Sequence, residues 1–420
     1  KFEFARNEEM NNNWEYKKIG DICIVERGGS PRPINQFITD DENGINWIKI
    51  GDTTESMYIT ETAQKIKPEG MKKSRYVQPG DFLLSNSMSF GRPYILKIDG
   101  CIHDGWLVLR DKDDLFDKRF LYYYLSSKTT YEKFKSMAVG GVVNNLNSEM
   151  VRKVDVPIPS KMEQAKTADV LDKLNSVIVM YQQEIQKLDK LIQARFVEMF
   201  GDPVQNTKGW SIDTCKNLTS KIGSGATPKG GRESYCTEGI AFVRSMNVYN
   251  NRFEYGDLAF INDEQANKLS NVMVQHKDVL LNITGASVAR CCIVPDELIP
   301  ARVNQHVAIV RCKEKILPEF LCSMFTEDNY QKLLWRIATS GGATREAITK
   351  QHIENLVLIV PPMKLQEDYV RFSERVNKSK FVIHKFLYCT THNTQSIIKP
   401  RPNTKESGKT RGGKPYADEF

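Results

Sequence analysis

The chain has 420 residues, 40% hydrophobic and 26% charged, an ordinary globular composition long enough for two or three domains. Its net charge of +7, from 59 basic and 52 acidic residues, permits nucleic acid as a partner without identifying it. No stretch approaches the roughly 18 apolar residues of a membrane-spanning helix, and nine scattered cysteines without a CxxC exclude a zinc or disulfide framework and fit the reducing cytosol of a prokaryote.

Residues 1–13 read as an N-terminal extension. Residues 14–160 read mainly as short strands and turns. Ile48-Lys49-Ile50, Phe82-Leu83-Leu84 and Trp106-Leu107-Val108-Leu109 are strand-like and bounded by Gly, Pro, Asp and Asn. One helix is expected near 117–137. Pro157 and Pro159 then lead into Ser160-Lys161-Met162-Glu163, a capping box. Beyond it, Leu171, Leu174, Ile178, Tyr181, Ile185, Leu188 and Ile192 follow a 3–4 spacing. That spacing is a heptad seam, which winds one helix against another. The helix is expected within 161–202, stopped by Gly201 and Pro203, at about 55 Å long.

Residues 203–361 repeat the first domain. Val279-Leu280-Leu281 and Val307-Ala308-Ile309-Val310 are strand-like, and a helix is expected near 318–337. A second long helix follows over 362–398, with Val376 and Ile383 in its seam. Ser373 and Lys380 occupy seam positions there, so this seam is poorer than the first. Residues 399–420 form a Gly-, Lys- and Ser-rich basic tail of disordered composition.

The repetition fixes the architecture. Trp14 answers Trp210; Gly29-Ser30-Pro31 answers Ala226-Thr227-Pro228 after Gly225. Ile45-Asn46-Trp47-Ile48-Lys49 answers Ile240-Ala241-Phe242-Val243-Arg244, and Asp81-Phe82-Leu83-Leu84 answers Asp278-Val279-Leu280-Leu281. Phe120-Leu121 answers Phe320-Leu321, Gly140-Gly141 answers Gly341-Gly342, and Gln164 answers Gln366. The expected fold is α+β. Two similar domains are separated by two long antiparallel coiled-coil helices under a pseudo-twofold.

No HExxH, GxSxG, Walker loop or strand-borne GxGxxG occurs, so the chain reads as a binder rather than an enzyme. Base readout needs Arg, Lys, Asn, Gln, Ser or Thr on loops. The repeated loops offer Arg32, Lys49, Asn86, Ser87, Arg92, Asn144 and Asn145 in the first half. In the second they offer Lys229, Arg232, Arg244, Asn247, Thr284, Arg290, Thr344 and Arg345.

These features, in duplicate and in one order, resemble the DNA-specificity subunit of Type I restriction–modification systems over about residues 14–390. The strongest carriers are Gly225-Ala226-Thr227-Pro228, Asn304-Gln305-His306, Cys101-Ile102-His103-Asp104-Gly105-Trp106 and Pro157-Ile158-Pro159. The resemblance implies that each domain recognises half of a split double-stranded DNA target. It implies that the helix pair sets the spacer and docks two methyltransferase subunits, with two restriction subunits as further partners. S-adenosylmethionine, ATP and Mg would then belong to those partners, and this chain would hold no cofactor or metal. The alternative left open by the residues is a duplicated coiled-coil scaffold whose end domains bind a ligand other than DNA.

Overall fold

The runs Trp106-Leu107-Val108-Leu109 and Val279-Leu280-Leu281 are apolar at every position because their sheets are covered on both faces. In the computed structural model, which describes residues 14–86, 91–138, 145–340 and 346–397, Trp106–Asp111 shows this directly. Leu107 and Leu109 enter one core with Phe82, Leu84 and Phe120, while Trp106 and Val108 enter another with Leu83, Tyr94 and Leu96. The second half repeats the division. Val279, Leu281, Ala308 and Val310 face the core containing Phe320, whereas Leu280, Val307 and Ile309 face the core containing Phe242. The extension 1–13, the tail from 398, both Gly-Gly pairs, Ser87, Asn144, Thr344 and Arg345 lie outside the described residues.

The chain divides into two units, residues 1–180 with 386–420 and residues 181–385. The first unit carries a five-stranded sheet in the order Cys23–Arg27, Trp106–Asp111, Phe82–Ser85, Pro93–Leu96, Tyr58–Ile59. A second five-stranded sheet pairs Gly100–Ile102 in parallel with Ile45–Ile48. The second unit has a four-stranded sheet in the order Thr219–Ser224, Val307–Cys312, Val279–Asn282, Cys291–Ile293. Its three-stranded sheet pairs Ala301–Val303 in parallel with Ile240–Val243. The fold is α+β, and the parallel pair recurs at the same place in both copies.

Two local expectations are corrected. The single helix expected near 117–137 is two, Lys118–Ser126 and Lys128–Ala138, and that near 318–337 is Pro318–Phe325 and Asp328–Thr339. Ser127 and Glu327 adopt extended backbone angles at the breaks. Each also caps the next helix: the Ser127 hydroxyl accepts from the Thr130 amide, and the Glu327 carboxylate from those of Asn329 and Tyr330. Ile48-Lys49-Ile50 is likewise not a continuous strand. Ile45–Ile48 ends there, and the Asp52 carboxylate accepts the Lys49 amide at 2.7 Å to start a short 3₁₀ turn.

The long helices run over Lys161–Phe200 and Met363–Ile397. The capping box forms, with the Glu163 carboxylate accepting from the Ser160 amide at 3.0 Å and the Ser160 hydroxyl accepting from the Glu163 amide. Gly201 closes the first helix at φ +74°. Leu171 is buried, and Leu174, Ile178, Tyr181, Ile185, Leu188 and Ile192 are half-buried. On the second helix Val376 and Ile383 are half-buried, as are Ser373 before them and Lys380 between them. Within the second unit the helices pack antiparallel: Phe196 and Phe200 meet Tyr369, Arg195 lies over Phe372, and Lys380 pairs with Asp189. A polar seam position of this kind fixes register at some cost in stability.

Each long helix is tied to its own domain by a buried glutamine. Gln164 accepts from the Asp117 amide at 2.8 Å and donates to the carbonyls of Leu115 and Pro159, each at 2.9 Å. Gln366 accepts from the Leu317 amide at 2.9 Å and donates to Lys315 and Pro361. Among the described residues no helix is long and apolar enough to cross a membrane.

Candidate nucleic-acid interface

The loop after Cys23–Arg27 is forced close to the loop before Trp106–Asp111, and the loop after Thr219–Ser224 close to the one before Val307–Cys312. A Cβ on Gly28 would sit 2.2 Å from the His103 carbonyl oxygen, and one on Gly225 would sit 1.8 Å from that of Val303. Only glycine permits either approach. The consequence is the same in both halves. The Ser30 hydroxyl donates to the Asp104 carboxylate at 2.9 Å, and the Thr227 hydroxyl donates to the Gln305 side-chain oxygen at 2.5 Å. The frame is duplicated; the group it holds is a carboxylate in one half and a carboxamide in the other.

Around Asp104 the first unit gathers basic and polar groups. The Arg27 Nε and Asn86 Nδ2 both donate to the Asp104 carbonyl, at 3.1 and 2.9 Å. Arg32 Nη2 lies 3.4 Å from the Asp104 carboxylate, with its side chain 81% exposed. His103 accepts the Gly105 amide at Nδ1, so the neutral ring carries its proton on Nε2, which lies 3.3 Å from Asp104 Oδ1. Burial holds the His103 pKa below the ordinary value; Lys49 and Arg27 lower it further, against the pull of Asp104. The Asp104 pKa is lowered despite partial burial, because Ser30, His103 and Arg32 favour its charged form. The site therefore stands at neutral pH as a carboxylate ringed by cations and a neutral imidazole.

The second unit builds a neutral counterpart. Gln305 Nε2 donates to His306 Nε2 at 3.1 Å, which leaves the ring proton on Nδ1, 2.6 Å from the Thr284 hydroxyl. The chain Thr227–Gln305–His306–Thr284 thus locks three loops together. Lys229 and Arg232 are exposed just beyond Thr227.

The sequence candidates divide accordingly. Arg32, Lys49 and Asn86 come together around His103 and Asp104, and Thr284 joins Gln305 and His306. Asn86 is 2% exposed, however, and its amide supports the Asp104 loop. Asn247 is fully buried and its side chain is consumed by the Arg244 amide and the Glu254 and Gly256 carbonyls, so it is a turn residue. Arg244 is half-buried over Tyr235, with its guanidinium on the Asp257 carbonyl. Arg92 and Arg290 stand elsewhere in their units, Arg92 against Glu55 and Tyr94 and Arg290 over Tyr249. Asn145 is exposed.

Sequence reasoning did not nominate Ser30, His103, Asp104, Thr227, Gln305 or His306 as contacts. Part of the signal was present: Ser30 and Thr227, and Asp104 and Gln305, stand at matching positions in the two copies, whereas His103 and His306 do not. They were read as marks of the repeat rather than as its working parts.

Comparison with known proteins agrees with this architecture. Residues 11–190 match the Type I restriction modification DNA specificity domain. The chain is 26% identical over 388 residues to the Type I restriction enzyme MjaIX specificity subunit of Methanocaldococcus jannaschii, covering 85% of each. It is 19% identical over 355 residues to the EcoKI specificity subunit of Escherichia coli K12, covering 77% of this chain and 72% of that one. A chain solved in work on complex assembly and conformational transition of the type I R-M system superposes with a TM-score of 0.56 at 15% identity, over 92% of this chain and 96% of that one. That likeness concerns the fold. Sequence, duplication and fold together make this chain similar to the specificity subunits of Type I restriction–modification systems, with the family's DNA specificity domain matched over residues 11–190.

Proposed function

We propose that each globular half reads one half of a bipartite DNA target, and that the two long helices set the spacer between the half-sites. The observation that carries this is the duplicated loop frame with unlike contents, Ser30–Asp104 in one half and Thr227–Gln305 in the other. Equal frames give two similar approaches to a duplex, and unlike side chains give two different half-sites. The domains then correspond to residues 14–160 and 203–361, joined by helices over 161–202 and 362–398. The chain recognises and the chemistry belongs to its partners, two methyltransferase subunits docked on the helix pair and two restriction subunits beyond them. Exposed Phe381 and Val382 on the second helix, and Leu191 and Val197 on the first, support a protein partner there. No observation favours a scaffold for some other ligand.

The spacer role is tested by inserting one heptad into each long helix, after Lys190 and after Ser379, which flank the Asp189–Lys380 pair. Seven residues add about 10.5 Å, equivalent to roughly three base pairs. Methylation mapping in the assembled complex is expected to show both half-sites unchanged and the gap lengthened by about three pairs. An unchanged gap in an active complex would remove the helices as the ruler.

A further inference from the structure

We propose that Arg32, held by Asp104, reads a guanine in the half-site of the first unit, and that Asp104 is its positioning residue. The inference rests on the DNA-reading role just described and names the base and the side chain. Arg32 lies between Pro31 and Pro33, whose rings restrict the backbone on both sides. Its side chain is 81% exposed, yet its Nη2 is directed to the Asp104 carboxylate. Asp104 is itself fixed by the Ser30 hydroxyl at 2.9 Å, and its carbonyl by Arg27 and Asn86. An arginine held in this way is a pre-oriented planar fork. One of its five N–H donors faces the carboxylate, and the rest can meet the paired acceptors O6 and N7 of guanine.

The charge balance separates a base contact from a phosphate contact. A carboxylate beside the guanidinium cancels much of its attraction for a phosphate. It leaves the directional hydrogen bonds to a neutral base edge intact. The second unit makes the contrast. Gln305, uncharged, stands where Asp104 stands, and exposed Lys229 stands where Arg32 stands. A lysine there is a point charge suited to phosphate, without the fork that guanine requires. At this one position the frame therefore carries a base reader in one half and a phosphate contact in the other.

The experiment maps methylated motifs and measures salt-dependent binding for the full chain assembled with its methyltransferase subunit. Arg32→Ala and Arg32→Lys are each expected to relax one G·C pair in one half-site, with discrimination there falling about 10- to 100-fold. Asp104→Asn should relax the same pair to a smaller extent. The other half-site stays intact, which also reports that the complex has folded and assembled. The salt slope should be unchanged, since no phosphate contact is lost. If Arg32→Ala instead lowers methylation at every site alike, keeps the motif and reduces the salt slope by about one, Arg32 is a phosphate contact and the proposal is overturned. A wild-type complex without any bipartite motif would overturn the DNA-reading role itself. An intact wild-type motif unaltered by all three variants would overturn this inference alone.

Discussion

Asp278→Ala is expected to destabilise the second unit by about 3–5 kcal/mol, the usual result of breaking one side of a buried ion pair. Asp278 is completely buried. Arg311 donates to it twice, from Nε at 2.7 Å and Nη2 at 2.8 Å, and the Gln275 amide donates to Oδ2 at 2.7 Å. Alanine would remove a turn acceptor and leave the Arg311 guanidinium, itself largely buried, without a counter-charge. Asp278→Asn retains an oxygen for Gln275 and should fall between wild type and alanine. The first unit repeats the device with Asp81 and Arg110, where Nε lies 3.2 and 3.0 Å from the two carboxylate oxygens. That pair is more exposed and is shared with Glu26, so Asp81→Ala should cost less. Urea denaturation of the full chain measures both. A loss under about 1 kcal/mol for Asp278→Ala would show that the ion pair contributes little to holding the unit together.

The second large effect concerns the joint between domain and helix. Gln366→Ala is expected to cost about 2–4 kcal/mol, because three backbone groups lose their partner at once. Among the described residues, the Leu317 amide and the carbonyls of Lys315 and Pro361 meet this side chain alone. Gln366→Glu should be nearly as damaging: a carboxylate replaces the acceptor but removes the donor facing two carbonyls. Gln164 in the first unit makes the same three contacts, so Gln164→Ala should match it within about 1 kcal/mol. Thermal unfolding with hydrogen exchange at the Asp117 and Leu317 amides is the measurement. Unaltered protection at Leu317 in Gln366→Ala would contradict this assignment.

The two glutamines also show what was legible in the chain. Their correspondence is visible in sequence, because a repeat aligns them, but their role is not. Two of the three partners of each lie 47 to 51 residues away, and all are backbone groups, which no side-chain pattern reveals. The long helices were readable because heptad spacing is a local signal. Even there, Lys380 reads as a flaw in the seam until Asp189 is placed opposite it. The helix breaks at Ser127 and Glu327 were missed because a helical hydrophobic period continues across them, while the cap that interrupts the chain is a single polar residue. The candidate site was half legible. Exposed Arg32 sits beside a proline-marked turn and was found. Asp104 and Gln305 were not, since each acts through a loop that a glycine brings within contact. Asn247 failed in the opposite direction: it is polar and in a repeated loop, but its amide is spent on the turn itself.

The central claim is that one chain carries two different readers in one frame. Sequencing that detects methylated bases, applied to a host expressing the full chain with its methyltransferase subunit, tests it directly. The predicted result is a bipartite motif with two unlike half-sites and a fixed gap, in which changes at Arg32 alter one half-site and changes at Gln305 affect only the other. A single uninterrupted motif, or changes at Arg32 and Gln305 that alter the same half-site, would contradict it.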